Sequence, residues 1–482
     1  MEVNIIQKAE FGKSLPFPRF DAEYVWRSLW DVEKAMRGAK SWLLCDVVSE
    51  YDGPTLNASF AAEDAAVKYI DIDSIDTSDG FAYADDLFYR DRPSRAKYQV
   101  KEGDLLVSNV RPTRGAMTLV TSVRDCAMAS SGFSLLRDKK LRDAPQSYLF
   151  AFLKSTFGRI QLKRRCRGSM YPAVTLGDLL DVWIPKPPDK ILDAVSASVK
   201  RGLSLQVKFF ELVDEQARVL EGYLRPLGNP PSPLHGDLAR ANWTEISKGD
   251  TDVAGRFDAE FFRHEYGEFD EHLRATCPAF VLGDYYELAP GRGLGNGEDI
   301  VPFIKQGVLT NAGVNWSAVS YEQGAPKSAG NVQVGDILLA CTAHEVYYVG
   351  RKADLVRDVP EEIRGINAAV ADLMIVRPRP EKPPGLHSSF VAAFLRSPSG
   401  LHQVQRCIRG LRGGHVYKDD LSKYVRIPLP KQWWLDTFEE RAAAYESVRA
   451  EAKAEIGRAC AAVEKWLSKE HAVEPGKYVA ER

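Results

Sequence analysis

The amino-acid sequence predicts an α+β protein in which one α/β unit occurs twice, each copy followed by a long helix, with the two helices pairing as an antiparallel coiled-coil spacer. Three observations predict it. Landmarks recur in one order at a separation of about 240 residues, short apolar stretches in each copy have strand character, and an extended amphipathic stretch follows each copy. Solenoid and propeller repeats run at about 20–50 residues, so a repeat this long is a domain with its own core.

The landmarks follow the chain. Phe20 to Tyr24 (FDAEY) recurs as Phe257 to Phe261 (FDAEF), and Tyr69-Ile70 has a counterpart in Phe303-Ile304. VKEGDLL from Val100 faces VGDIL from Val334, and FLKSTFG from Phe152 faces FLRSPSG from Phe394. Arg167-Gly168 then matches Arg409-Gly410, Leu179 matches Leu421, and Ile184-Pro185 matches Ile427-Pro428. VKYIDID, GDLLVSNV, AMTLVTSV, GDILLACT and VYYVGRKA are β-branched or apolar runs bounded by Gly, Asp and Pro, and predict strands. SYLFAFLKSTFGRIQLKRR and SSFVAAFLRSPSGLHQVQR each predict a helix, followed by a Gly-bearing loop and a strand that ends at prolines.

Beyond those prolines, Leu192, Val195, Val199, Phe210, Val213, Ala217, Leu220 and Leu224 fall at helical spacing, as do Phe438, Tyr445, Val448, Ala452, Cys460, Val463 and Trp466. Each stretch predicts a helix of about 35 residues, on the order of 50 Å long. Such a stripe can pack on its parent domain, but a long helix duplicated with its domain is better explained by pairing with its twin. The expected order is an N-terminal arm (1–19), a first domain (20–188), a first spacer helix (189–225), a Pro/Gly-rich linker (226–255), a second domain (256–431), a second spacer helix (432–468) and a tail (469–482).

Composition excludes several classes. With 45% hydrophobic and 27% charged residues the chain is neither disordered nor collagen-like. A net charge of −2 excludes a globally basic coat, though not local patches. Seven scattered cysteines without a Cys-x-x-Cys pair fit reduced thiols better than disulfides or zinc, so a cytoplasmic location is expected. No leader or membrane span is expected.

Charge is concentrated in two matched runs. From Lys154 to Arg167 and from Arg396 to Lys418 there is no acidic residue, and the runs occupy equivalent positions in the repeat. A basic run alone is often a solvated face, but two at matched positions suggest phosphate clamps. Candidate phosphate contacts are Arg159, Lys163, Arg164, Arg165 and Arg167 in the first copy and Arg406, Arg409, Arg412 and Lys418 in the second. The Gly-bearing loops that follow the runs offer groove contacts, and the candidate base readers are Asn109, Arg111, Ser169, Tyr171, His415 and Tyr417. Neutralising Arg164 and Arg165 is expected to weaken binding to all DNA sequences and flatten its salt dependence.

Enzyme signatures are weak. Asn229-Pro230-Pro231-Ser232 lacks the aromatic residue that would stack on a flipped base. Gly291 to Gly297 (GRGLGNG) lacks the strand-then-helix frame of a dinucleotide site and is expected to be a mobile loop. His344-Glu345 and His235-Gly236-Asp237 stand alone, without metal-ligand spacing. No catalytic residue, metal or cofactor is assigned to this chain.

The VKEGDLLVSNV and VQVGDILLACT segments, FLKSTFG and FLRSPSG, the RG loops and the IPKPP and IPLP exits into helices together resemble the specificity (S) subunit of type I restriction-modification systems, over about residues 20–468. The resemblance implies two target-recognition domains that read a bipartite double-stranded DNA sequence, separated by paired helices. It also implies partners: adenine methyltransferase subunits using S-adenosylmethionine and, in a restricting complex, a subunit using ATP and Mg. The loop from Val356 to Arg364, the longer second RG loop and the absence of Glu-Gln after WIPKPP depart from the family pattern, and the alternatives are a specificity protein of another methylation-based phage-defence system or, less favoured, an autonomous DNA-modifying enzyme or a protein scaffold.

Overall fold

The computed structural model describes residues 27–38, 40–50, 61–121, 127–139, 144–168, 171–227, 256, 261–310, 312–327, 331–343, 346–364, 369–409 and 414–471. The expected N-terminal arm, FDAEY, Asn229 to Ser232, His235 to Asp237, His344-Glu345 and the end of the tail lie outside them, as do most of the linker and of FDAEF. The chain divides into two units, Met1–Phe209 with Ser447–Arg482, and Phe210–Glu446.

In the first unit α1 (Arg27–Gly38) precedes β1 (Ser41–Leu43), α2 (Leu44–Val47) and β2 (Val48–Glu50). Strands β3 (Ala66–Ile70), β4 (Asp85–Phe88), β5 (Ala96–Gln99), β6 (Leu105–Ser108), β7 (Met117–Leu119), β8 (Ala127–Ser130) and β9 (Phe133–Asp138) follow. Next come α3 (Gln146–Lys154), α4 (Thr156–Arg165), α5 (Leu176–Leu180), β10 (Trp183–Pro185) and the long α6 (Asp189–Leu224), whose residues after Phe209 belong to the second unit.

Two four-stranded sheets result, ordered β2-β9-β6-β7 and β4-β3-β8-β5, while β1 pairs with β10. The first is antiparallel, whereas β3 and β8 run parallel in the second. All four residues of β6 are buried because the strand lies between two cores: Leu105 and Val107 enter one and Leu106 the other. A strand covered on both faces has no polar side, which is why LLV from Leu105 shows no alternation.

The second unit repeats this order. After α7 (His264–Thr276) come β11 (Ala279–Val281), α8 (Leu282–Tyr285), β12 (Tyr286–Pro290), β13 (Leu294–Ile304), β14 (Ser320–Pro326), β15 (Ile337–Ala340), β16 (Thr342–Ala343), β17 (Ala353–Leu355), β18 (Ala369–Val370) and β19 (Leu373–Pro378). Then follow α9 (Ser388–Arg396), α10 (Pro398–Arg406), β20 (Ile408–Arg409), β21 (Gly414–Val416), α11 (Lys418–Tyr424), β22 (Arg426–Pro428) and the long α12 (Gln432–His471). The sheet β12-β19-β15-β17 has the order of β2-β9-β6-β7, β11 pairs β22 as β1 pairs β10, and β13 runs parallel to β18 as β3 does to β8. In β15, Ile337 and Leu339 enter one core and Leu338 and Ala340 another.

The repeated motifs have structural causes. Gly103 and Gly335 have φ of 86° and 94°, the left-handed region that glycine tolerates best. The aspartate that follows turns inward: Asp104 accepts from the Lys101 amide at 2.8 Å and from Arg137 Nε at 3.0 Å. Asp336 accepts from the Gln333 amide at 2.8 Å and from Arg377 Nε at 2.8 Å.

The sequence predicts one helix across each FLxSxxG segment, and the structure breaks it in two. Ser155 and Ser397, in extended backbone, cap a new helix, each side chain accepting from the glycine amide three residues on. Those glycines sit where the chain doubles back. A Cβ on Gly158 would lie 2.4 Å from the Phe152 carbonyl oxygen, and one on Gly400 2.0 Å from that of Phe394.

Two other expectations are corrected. VYYVGRKA is not a continuous strand: Val346–Tyr348 is a 3-10 turn and Gly350 a left-handed turn against Val404, with strand only at β17. Gly291 to Gly297 is not a loose loop: the Gly291 and Gly293 amides donate to the carbonyl oxygens of Leu373 and Val370, Leu294 to Gly297 begin β13, and the glycines let backbones meet, since a Cβ on Gly297 would lie 2.7 Å from the Ala325 amide nitrogen.

The long helices span Asp189–Leu224 and Gln432–His471, close to the expected limits. In the first unit Arg201 bonds to Glu451 and Glu455, and Gly202 packs on Ile456. In the second, Arg441 bonds to Glu215 and Tyr223 lies against Trp434. Neither long helix is apolar enough to cross a membrane, and no other helix among the described residues is either.

Two glycine substitutions separate close approach from helix propensity. Gly400→Ala is expected to lower stability by about 1–3 kcal/mol by forcing backbone apart. Gly457→Ala, on an exposed face of α12 with nothing near the added methyl, is expected to raise it by about 0.5–1 kcal/mol. Thermal unfolding of the two variants checks both signs.

Candidate nucleic-acid interface

Helix α1 is amphipathic, and Leu29, Val32, Glu33 and Met36 share its buried face. Glu33 is therefore carried into the core, where burial alone would raise its pKa. Arg165 and Arg164 outweigh that and hold the carboxylate at about 2, helped by Arg37. Both Arg164 Nη1 and Arg165 Nη1 lie 2.6 Å from Glu33 Oε2, and the Arg164 guanidinium stacks over Trp30. Arg165 also donates to the Asp181 carbonyl oxygen at 2.6 Å.

This corrects the phosphate-clamp assignment for two residues. Arg164 and Arg165 are each 1% exposed and are consumed by an internal ion cluster, so they cannot contact a DNA backbone. The run looks acid-free only along the chain, because its acidic partner sits on a helix more than a hundred residues earlier. Lys154 is also internal, donating to the carbonyl oxygens of Thr77 at 2.9 Å and Gly115 at 3.0 Å.

In the second unit Asp270 on α7 takes the place of Glu33 and is paired with Arg426 and Arg274, each at 2.8 Å. Arg406 is half-buried, donating to the Phe261 carbonyl oxygen and stacking over its ring, and burial lowers its pKa. Arg256, which sequence reasoning missed, is fully buried. It donates to the carbonyl oxygens of Cys407 and Ile408 and lies 3.1 Å from Asp420. An arginine precedes both FDAE motifs, as Arg19 and Arg256, and that repetition was its available signal.

Above these clusters each unit builds a three-part ribbon. In the first, the Arg167 and Ala173 backbones exchange hydrogen bonds, Val174 donates to Asn109, and Arg111 donates to Pro172. In the second, β21 pairs with β16 and β20 at Thr342–His415 and Ile408–Val416, and Val416 donates to Cys341. By register, Asn109 corresponds to Cys341, Arg111 to Ala343, Ala173 to His415 and Thr175 to Tyr417.

The arginine of each RG loop is half exposed and braced by an aspartate on the next helix. Arg167 lies 2.9 Å from Asp178, and Arg409 is bidentate to Asp420 at 2.7 and 2.9 Å. Burial raises the Asp178 pKa, but hydrogen bonds from Arg167 and Thr175 bring it below the usual carboxylate value.

The ribbon tips differ between units. In the first, Tyr171 is 67% exposed and Arg111 stacks over its ring at 5.2 Å. Arg111 has φ of 47°, uncommon for a non-glycine residue, and opens the 3-10 turn Pro112–Arg114, whose exposed Arg114 sequence reasoning also missed. The Asn109 side chain turns inward to accept from Ser134 at 2.6 Å. In the second, Tyr417 is 49% exposed, with His415 against its ring at 4.7 Å and Arg409 over it at 5.6 Å. Lys418 is exposed, whereas Arg159 and Lys163 are partly covered. Ser169 and Arg412 lie outside the described residues.

The structure thus groups Arg111, Arg167 and Tyr171 in one unit and Arg409, His415, Tyr417 and Lys418 in the other: cations and aromatic rings on rigid backbone, suited to phosphates and base edges. Among the described residues no cluster of three His, Cys, Asp or Glu side chains could hold a metal ion, and the described cysteines are free thiols.

The chain is similar to the crystal structure of the HsdS subunit from Thermoanaerobacter tengcongensis, at 20% identity over 90% of this chain and 96% of that one, with a TM-score of 0.31. It is similar at the same identity and TM-score to a structure described as the basis of complex assembly and conformational transition of the type I R-M system, covering 90% of this chain and 97% of that one. The type I restriction-modification system S subunit from M. genitalium matches at 12% identity and a TM-score of 0.33, over 90% of this chain and 95% of that one. No family model and no curated protein matches.

Glu33→Ala removes the buried carboxylate that Arg164 and Arg165 share and is expected to destabilise the first unit by about 3–5 kcal/mol. Because the Glu33 pKa is depressed from 4.5 to about 2, its stabilisation is full above pH 4.5 and is lost as pH falls through about 2. Urea midpoints between pH 6 and pH 2 should therefore fall more steeply for wild type than for the variant over this interval.

Proposed function

We propose that the chain is a non-catalytic DNA-sequence reader: a specificity subunit that recognises a bipartite double-stranded target and directs an adenine methyltransferase to it. The observation that carries this reading is the repeated ribbon. Its backbone recurs in both units while its exposed tips differ, which is the arrangement expected of two readers of two different half-sites.

In this reading the phosphate contacts come from Arg167, Lys163 and Arg159 in the first unit and from Arg409, Arg412 and Lys418 in the second. Base contacts come from Arg111, Tyr171 and Ser169, and from His415 and Tyr417, but not from Asn109, whose side chain is turned inward to Ser134. The long helices act as a paired antiparallel spacer. A length on the order of 50 Å spans about fifteen base pairs at 3.4 Å each, enough to hold two readers a turn or more apart. S-adenosylmethionine would be bound by the methyltransferase partner, which flips the target adenine, and ATP and Mg by a restriction subunit where the complex contains one. Such a complex would defend a cytoplasm against phage DNA.

The test is sequencing of methylated sites in the native host with and without the gene, together with mass spectrometry of proteins retained by the tagged chain. Loss of methylation at one split motif and recovery of an adenine methyltransferase support the reading. Unchanged methylation with no methyltransferase retained overturns it. Arg111→Ala or Tyr171→Ala should relax one arm of the motif by about 1–3 kcal/mol, and His415→Ala or Tyr417→Ala the other arm alone.

A further inference from the structure

The turn that carries Arg111 is connected to the second long helix by an unbroken series of contacts within the first unit. Arg449, on α12, is 11% exposed and bonds to both carboxylates of the loop Asp76 to Tyr83: Asp76 at 2.8 Å, and Asp79, itself 1% exposed. Its Nε donates to Tyr83 Oη at 2.9 Å, and its guanidinium lies over the Phe81 ring at 4.2 Å. Phe81 in turn packs edge-on against Phe209 of α6 at 5.2 Å. The loop is thus held by both long helices.

The loop is stiff. The Gly80 amide donates to the Asp76 carbonyl oxygen at 2.7 Å, the Asp76 amide to that of Phe81 at 2.8 Å, and the Phe81 amide to Asp79 Oδ1 at 3.0 Å. Gly80, with φ of 81°, lies so close to β7 that a Cβ would sit 2.5 Å from the Met117 carbonyl oxygen. On its far side Lys154 Nζ joins the Thr77 carbonyl oxygen to that of Gly115, which closes the 3-10 turn begun at Arg111. Burial lowers the Lys154 pKa to about 8, partly offset by Asp79 and Asp76. The Lys154 ammonium, buried and shared by two carbonyl oxygens, is a directional link, because the cation is itself shielded from water.

We propose that Arg449 and Lys154 are positioning residues for DNA reading by the first unit: Arg449 fixes the loop Asp76 to Tyr83 to α12, and Lys154 transmits that position to the turn bearing Arg111. This rests on the DNA-reading function proposed above. Neither residue touches DNA in this arrangement. Their effect is on where Arg111 is held, and a base contact depends on placement to a fraction of an ångström. Among the described residues the second unit shows no copy of the link. There Arg396, the counterpart of Lys154, bonds to Asp354, which accepts from the Thr310 and Gly313 amides, and Arg357 meets Glu439 and Glu446 of α12. Loss of Arg449 therefore acts on one half-site.

The experiment uses the full chain, tagged and purified from its native host with the subunits that accompany it, to capture duplexes from a randomised double-stranded DNA pool that is then sequenced. The first half-site is identified as the arm that Arg111→Ala relaxes. Arg449→Gln is expected to cut enrichment at that arm about tenfold, the scale of one base contact, leaving the other arm unchanged. Arg449→Lys should restore part of it. Because Arg449→Gln leaves Asp79 buried and unpaired, Asp76→Asn and Tyr83→Phe are measured beside it, each removing one link while keeping the guanidinium in place, and both should shift the same arm. Unchanged enrichment at both arms in Asp76→Asn and Tyr83→Phe overturns the positioning role, and so does equal loss at both arms, which is the result of simple destabilisation. Wild-type protein that enriches no sequence overturns the reading function itself and this role with it.

Discussion

Burial of arginine against a carboxylate beneath each ribbon is the constraint on which the rest of the structure is organised. Glu33 draws Arg164 and Arg165 inward, and with them the end of α4, which leads directly into Arg167. In the second unit Asp420 gathers Arg256 and Arg409 from segments far apart in the chain. A charge cannot be left alone in such a place. Each pair therefore specifies which segments meet, beyond any net contribution to stability. The backbone between them has little freedom, and the ribbon is built there.

The fold was legible in the sequence wherever a local rule sets local structure. The αL glycine and inward aspartate of VKEGDLL and VGDIL, the capping serine and close-packed glycine of FLKSTFG and FLRSPSG, and the apolar steps from Leu192 to Leu224 each have a cause a few residues away. Even so, the serine that made the FLxSxxG repeat conspicuous also breaks the helix drawn through it. Conspicuous recurrence marked a junction, not a continuous element.

The site was legible only in part, and the missing part is electrostatic. The basic run from Lys154 to Arg167 looked like a clamp because its acidic partners, Glu33, Asp178 and Asp181, lie outside it in the chain. Neutralisation is decided in space, and a single sequence does not carry that pairing. Of the candidates that remain exposed, Arg167 and Tyr171 follow the buried Arg165, and Arg409, Tyr417 and Lys418 follow the half-buried Arg406, where the chain leaves the core. Arg114 and Arg256 escaped notice for opposite reasons: one stands outside the matched runs, the other is hidden beneath them.

The duplicated ribbon separates a main-chain frame from the side chains it presents. Its hydrogen bonds join main-chain groups, so they are indifferent to the side chains above them: Val174 to Asn109 in one unit has the same geometry as Val416 to Cys341 in the other. Arg111 against Ala343, Ala173 against His415 and Thr175 against Tyr417 can then differ without loss of the frame. Substitution at positions of this kind costs little stability, whereas removing Glu33, Asp420 or a capping serine costs more. On the proposed function, a change of target sequence needs only substitutions at the tips, while the buried ion clusters keep each tip in place. On the same proposal, a second copy of the frame, with its own tips, would make the two halves of the target independently variable.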